Sequence, residues 1–105
     1  MAVNNIFSGF PGVFRGELFD KLLDHSDFRI ERIVLNSSSS DEAQWLRRKR
    51  AQWLMLVQGF VVLESDNERA IEVKAGDYLL LEANSKHRLR WKCPDDETIL
   101  LSVQF

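Results

Sequence analysis

The chain has little that would cross-link it or carry it through a membrane. Cys93 is the only cysteine, so no disulfide can form within the chain, which fits a reducing compartment. No apolar run approaches the roughly 20 residues that a membrane-spanning helix needs. The stretch from Met1 to Gly12 lacks the basic start and long apolar centre of a secretory signal. We therefore expect a cytoplasmic protein with no membrane partner.

An excess of charge of one sign is also lacking. The 14 basic and 16 acidic side chains give a formal net charge of −2, which offers no electrostatic basis for binding nucleic acid. Hydrophobic residues make up 45% of the 105 residues, which is enough for a single modest core. The composition predicts one globular domain with no nucleic-acid partner.

Short segments of β character, separated by polar or glycine-containing turns, fill most of the sequence. Their spacing predicts an all-β sandwich or barrel. Before them, Leu18 and Leu22 lie at helical spacing, so we expect one short helix over 17–23. An arm and this helix would occupy residues 1–27, and the β domain residues 28–105. The predicted strands are 28–34, 53–57, 60–63, 70–73, 78–81, 87–91 and 98–105.

Two of these segments form a glycine-anchored pair. Six residues separate Gln52 from Gly59, and ten residues separate Gly76 from His87. Sixteen residues lie between the two glycines. This order resembles the two-part signature of the cupin superfamily, over about residues 28–105. The resemblance implies a cupin-type double-stranded antiparallel β-barrel, related to the jelly roll.

The resemblance also implies a metal site, but most of its ligands are missing here. Cupin enzymes typically hold a transition metal through three His and one Glu, and of these only His87 is kept. Gln52 replaces the Glu. Asn84 stands where the second motif has a glycine, and we expect it to adopt the left-handed conformation. The two upstream His positions fall on residues that cannot act as the usual ligands, either Trp45 and Arg47 or Leu46 and Arg48.

We therefore expect a cupin that binds a small molecule, with a degenerate metal site and no cofactor. Polar and aromatic side chains of the kind that line binding pockets would surround the ligand. These candidates are Gln52, His87, Tyr78, Trp45, Trp53 and Trp91. In the simplest alternative, His87 is an interior histidine hydrogen-bonded to Gln52 or Tyr78.

Two other functions fit the same resemblance. One is a metal-dependent enzyme, such as a dioxygenase, an isomerase or a sugar-modifying enzyme, in which His87 and non-standard ligands hold a divalent transition metal. The other is an interaction protein that acts through its dimer surface, because cupins commonly pair. We expect a homodimer, to which an arm carrying Phe7, Phe10 and Phe14 would contribute.

Two short segments, 47–50 and 86–92, hold eight of the fourteen basic residues. One hypothesis is that they form a positive rim that attracts an anionic small molecule. The alternative is a solvated surface whose cations pair with Asp41, Glu42, Asp95 or Glu97. Strand alternation places Arg88 and Arg90 opposite His87, which favours the alternative.

Overall fold

The described part of the chain folds into eight β-strands. A computed structural model describes residues 2–10, 17–36, 49–65, 69–92 and 97–105. Within these ranges no helix is long and apolar enough to cross a membrane. The strands are β1 (Glu17–Asp24), β2 (Arg29–Leu35), β3 (Gln52–Gln58), β4 (Phe60–Ser65), β5 (Ala70–Lys74), β6 (Tyr78–Leu81), β7 (His87–Lys92) and β8 (Thr98–Gln104).

The strands form two sheets in which all neighbours are antiparallel. One sheet has five strands in the order β1-β2-β8-β3-β6, and the other has three in the order β5-β4-β7. The predicted all-β antiparallel fold is confirmed. Across the described ranges the two sheets are hydrogen-bonded separately, and no closed ring of strands is seen.

The short N-terminal helix is a wrong prediction, because residues 17–24 form strand β1. Leu18 pairs with Val34 on β2, and the register shifts between Lys21 and Leu23. Apolar residues three and four apart in so short a segment fit a helix or an irregular strand equally well. The exposed backbone edge of β2 decides between them, because it offers β1 a ladder of hydrogen bonds.

The hydrophobic core lies between the two sheets. Along β3, Leu54 and Leu56 are fully buried, whereas Trp53 and Met55, which alternate with them, are only half-buried. This alternation places one face of the strand toward the other sheet. Burial of each aliphatic core side chain stabilises the fold by about 1.5–3 kcal/mol. The core also contains Ile33, Leu35, Val61, Leu63, Val73, Leu81, Leu89 and Leu100.

Besides Gly9 in the N-terminal arm, three described residues between strands have positive φ angles, two of them glycines. Gly59 has a φ of 100° and joins β3 to β4, and Gly76 has a φ of 94° in the turn from β5 to β6. Asn84 has a φ of 64°, so the left-handed conformation predicted for it is confirmed. The Gly76 amide donates to the Leu56 carbonyl at 2.7 Å, which fixes the β5–β6 turn against β3.

The N-terminal arm packs against β2 through Arg32, whose side chain is buried on the outer face of the five-stranded sheet. The guanidinium donates to the Asp20 carboxylate at 2.5 Å and lies 4.6 Å from the centre of the Phe10 ring. The Arg32 guanidinium also donates to four backbone carbonyls of the arm, those of Asn5, Ile6, Ser8 and Gly9. This one side chain thus holds the arm against the sheet.

Candidate functional site

Polar side chains replace aliphatic ones at one end of the inner face of the five-stranded sheet. The row of paired residues at this end runs from Leu81 on β6 through Gln52 on β3 to Gln104 on β8. The neighbouring pair on the same face joins Glu31 on β2 to Ser102 on β8. We call this region, with the facing His87, the polar end.

The chain path brings the start of β7 to the same end. β6 ends at Leu81, opposite Gln52, and β7 begins at His87 after a turn of five residues. Five residues span at most about 18 Å when fully extended, and this link is tighter, because the Ser85 amide donates to the Glu82 carbonyl at 3.2 Å. At the opposite end, Gly59 alone separates β3 from β4.

Gln52 occupies the centre of the polar end. Its side chain is 1% exposed, and its Nε2 donates to Ser102 Oγ at 2.7 Å. Its Oε1 is also buried but accepts no hydrogen bond within the described ranges. A buried acceptor without a donor costs about 1–3 kcal/mol. The polar end therefore contains one carbonyl oxygen that a bound hydrogen-bond donor would satisfy.

A buried carboxylate lies beside this amide. Glu31 faces the space between the sheets from β2, and Gln104 Nε2 donates to its Oε1. Glu31 and Gln104 are both more than nine-tenths buried. The inner surface at this end therefore carries a carboxyl group and two amide groups, where the rest of the core is aliphatic.

His87 faces the core from the three-stranded sheet. It pairs with Ser65 on β4 and shares a face with the fully buried Leu89. Its Nδ1 lies 3.3 Å from Ser85 Oγ, which donates to the Glu82 carbonyl at 2.6 Å. Because the single proton of the Ser85 hydroxyl points to the Glu82 carbonyl, Nδ1 is placed to donate to Ser85 Oγ.

The aromatic candidates are not gathered around Gln52. Trp53 and Tyr78 lie on the outer face of the five-stranded sheet, with ring centres 5.6 Å apart, and Tyr78 is 69% exposed. The side-chain period of a strand places them opposite Gln52. Trp45 and the side chain of Trp91 lie outside the described residues, although the Trp91 backbone pairs with Val62.

Glu31, Ser102 and Gln104 are site residues that the sequence did not indicate. Glu31 lies between Ile30 and Arg32, and Ser102 and Gln104 alternate with apolar residues, so each has the pattern of a surface position. The signal that could have identified them is the alternation of side chains between the two faces of a strand, which has a period of two residues. In β8 the pairing places Ser102 and Gln104 on the same face as Leu100, and all three are buried.

The basic residues divide into paired and exposed groups. Arg88 lies on the outer face of its sheet and donates to the Glu64 carboxylate at 2.6 Å. Arg88 therefore pairs with Glu64, which is not among the acidic partners suggested by the sequence (Asp41, Glu42, Asp95 and Glu97). Lys49, Arg50 and Lys86 are exposed at the polar end, and the structure gives them no ion pair with described residues. Arg47, Arg48 and the side chain of Arg90 lie outside the description.

Comparison with known proteins gives the fold but no sequence family. No family model and no curated protein sequence matches this chain. Among solved structures, a Ralstonia eutropha protein provisionally assigned as a mannose-6-phosphate isomerase aligns with a TM-score of 0.80 and 25% identity, over 99% of this chain and 97% of its own. An RmlC-like cupin from Desulfovibrio desulfuricans aligns with a TM-score of 0.72 and 12% identity, over 99% and 96%.

The chain has the fold of the cupin superfamily. Enzymes occur among the structures that this chain resembles. Fe(II)-HppE aligns with a TM-score of 0.72 and 12% identity, and the aligned region covers 92% of this chain but only 53% of HppE. At that identity the similarity concerns the fold alone.

The donors at the polar end do not fit a standard transition-metal centre. The Gln52 amide stands where the family has Glu, and its neutral oxygen is a weak ligand for such ions. Within the described ranges, no group of three or more His, Cys, Asp or Glu side chains is arranged to hold a metal ion. At the upstream His positions the sequence has Trp45 and Arg47 or Leu46 and Arg48.

Proposed function

We propose that this cupin binds a small molecule at the polar end and does so without a transition metal of the usual kind. The unsatisfied Gln52 Oε1 is the observation that supports this most strongly. Buried polar atoms in proteins nearly always have a hydrogen-bond partner. An open acceptor between two sheets, beside a buried carboxylate, suits a site that a ligand completes.

Of the predicted ligand-binding residues, Gln52 and His87 remain central to this proposal, and Glu31, Ser102 and Gln104 are added to them. Trp53 and Tyr78 are left out, since they lie on the outer face of the sheet. A cytoplasmic location is part of the same proposal, because a single cysteine fits a reducing compartment.

The test is a titration of the ¹⁵N-labelled full chain with a panel of hexoses, polyols, amino acids and carboxylic acids, followed by NMR. At least one compound should shift the backbone amides of Gln52, His87 and Ser102 and leave those of the β5–β6 turn at Gly76 unchanged. If every compound that binds shifts residues away from the polar end, the proposal is wrong.

A metal-dependent enzyme is the second candidate, supported by the structural similarity to Fe(II)-HppE and by the presence of His87 where the cupin signature has a metal-binding His. Elemental analysis of the purified protein separates the two candidates. One equivalent of iron, manganese, nickel or zinc, lost on changing His87→Ala but kept in a His25→Ala control, would favour the enzyme. His25 is an exposed histidine of the β1–β2 turn.

We further propose that two copies pair through an outer patch formed by Trp53, Met55, Tyr78 and Leu80. The patch contains no charged residue, so pairing with a second copy would bury no charge from it. In the described sheet β6 is an edge strand with only β3 beside it, so its other edge is open to a second copy. Two such edges related by a twofold axis are self-complementary. Sedimentation should show a dimer that Leu80→Lys dissociates, whereas Leu22→Lys on the opposite edge strand should not.

A further inference from the structure

A cavity of about 620 Å³ lies between the N-terminal arm and the β1 edge of the five-stranded sheet. Arm residues 3–6, 8 and 9 form one wall. The other wall is formed by Asp20, Lys21 and Leu22 of β1 and by Arg32 of β2. Ligand pockets in proteins have volumes of roughly 300–1,000 Å³. Because Arg32 lies on the outer face of the sheet and Gln52 on the inner face, this cavity is separate from the polar end.

The Arg32 side chain brings an unused hydrogen-bond donor to this cavity. Only 4% of the side chain is exposed, and its two Nη atoms donate to the Asp20 carboxylate and to carbonyls of the arm. Its Nε atom is also buried, but it makes no hydrogen bond within the described ranges. A buried donor without an acceptor is unfavourable. An oxygen atom of a ligand would therefore be stabilised at Arg32 Nε.

The charged side chains that line the cavity already face opposite charges. Arg32 donates to the Asp20 carboxylate at 2.5 Å, and Lys21 Nζ lies 3.7 Å from the Asp24 carboxylate. A charged ligand would lose part of its hydration here, and the lining offers no unmatched charge of opposite sign to replace it. The cavity therefore favours an uncharged ligand.

The arm contributes uncharged polar groups that are available to such a ligand. The side chains of Asn4 and Ser8 make no hydrogen bond within the described ranges. The Asn5 side chain uses only its oxygen, which accepts from the Phe7 amide at 2.8 Å. Carboxamide and hydroxyl groups include both donors and acceptors. They match a ligand with several hydroxyl groups, because each hydroxyl also donates and accepts.

We propose that this cavity binds an uncharged polyhydroxylated compound, such as a neutral sugar or a polyol, with one hydroxyl oxygen accepting from Arg32 Nε. This second site goes beyond the function proposed above, since the cavity and the polar end share no residue. Because Nε is buried, the arm has to shift to admit the hydroxyl. A ligand that contacts both the arm and β1 then holds the arm in place, so binding should slow hydrogen exchange of residues 2–10.

The experiment is an NMR titration of the ¹⁵N-labelled full chain with three neutral probes, glucose, ribose and inositol, and two charged counterparts of glucose, gluconate and protonated glucosamine. At least one neutral probe should shift the backbone amides of Asn5, Ser8 and Lys21 and the side-chain Nε–H of Arg32. The charged counterparts should bind roughly tenfold more weakly than glucose, or not at all. If no neutral probe moves these resonances, or if the charged counterparts bind as tightly, the proposal is wrong.

A matched pair of variants tests whether the ligand occupies the cavity itself. Leu22→Trp places a larger side chain in the lining and should weaken the neutral probe roughly tenfold. Leu23→Trp is the control, because Leu23 pairs with Ile30 and does not line the cavity. Both leucines are about half exposed, at 44% and 49%, so neither change disturbs the core. Equal effects of the two variants would contradict binding in the cavity.

The failure of this proposal is distinguishable from the failure of the proposed function, because the two sites have separate resonances. Shifts at Gln52 and His87 without shifts at Asn5 and Lys21 would support the polar end and overturn the second site. The reverse pattern would support the second site and count against the polar end.

Discussion

Gly59 lies so close to Thr98 that a Cβ atom on residue 59 would come within 2.8 Å of Thr98 Oγ1. The φ of Gly59 is also positive, at 100°, where residues with side chains are rarely found. Thr98 is fully buried at the start of β8, so its side chain cannot move out into solvent to relieve the contact. The glycine that separates the two sheets is therefore required both for its backbone angle and for the space beside it.

Gly59→Ala should destabilise the fold more than Gly76→Ala. Both residues have positive φ, which costs about 1–3 kcal/mol for a residue with a Cβ, but a Cβ on residue 76 meets nothing within 4 Å. The contact with Thr98 should add about 1–3 kcal/mol at Gly59. Urea unfolding of both variants measures the difference, and equal losses would show that the contact does not limit the position.

Arg32→Leu should release the N-terminal arm. The guanidinium is the common partner of Asp20 and of four arm carbonyls, and losing it leaves a partly buried carboxylate without its cation, at about 2–4 kcal/mol. Hydrogen exchange of residues 2–10 should become at least tenfold faster. Arg29→Leu is the matched control, because its surface pair with Asp24 at 3.4 Å contributes less than about 1 kcal/mol.

Glu17→Gln should become relatively more stabilising as the pH rises. Burial raises the pKa of Glu17 above its ordinary value of 4.5. The folded state therefore binds this proton more tightly than the unfolded state, so the wild-type chain loses stability as the carboxyl ionises. Urea unfolding at pH 4 and pH 7 should show a small difference at pH 4 and a larger gain for the variant at pH 7. A constant difference would contradict this.

Arg88→Met should cost more than Glu64→Gln. Glu64 is 5% exposed and Arg88 is 51% exposed. Removing the arginine takes the Arg88 cation away from a buried carboxylate, at about 1–3 kcal/mol, whereas in Glu64→Gln the freed arginine can return to water. The double variant should be close to Glu64→Gln alone, with a coupling energy of about 1 kcal/mol in a double-mutant cycle. Additive losses would mean that the two side chains do not interact in solution.

The positions of most strands could be predicted from the local sequence, but the pairing of the strands into sheets could not. Seven of the eight strands coincide with predicted segments, because turn residues such as Gly76 and Asn84 have conformations that their chemistry dictates. β1 was missed because the hydrogen bonds that select a strand there come from β2. Such long-range pairing cannot be detected in a sequence window of seven residues.

The site was predictable in part for the same reason. Gln52 and His87 were found through a spacing that resembles a known signature. Trp53 and Tyr78 were grouped with them by residue type, although alternation along β3 and the register of β6 place both on the other face. Glu31 and Gln104 are 73 positions apart, and only the pairing of β2 with β8 reveals that they meet.

The place of β8 in its sheet has a consequence for how the molecule forms. It is the last of the eight strands in the chain, yet it lies between β2 and β3. While the chain is being synthesised, β2 and β3 cannot both pair with β8 until residues 98–104 leave the ribosome. Until then, the backbone edges of β2 and β3 that β8 covers in the folded sheet stay exposed. Such late, distant pairing slows folding and exposes the chain to aggregation. Ser102 and Gln104, the β8 residues of the proposed site, take their places in that same step.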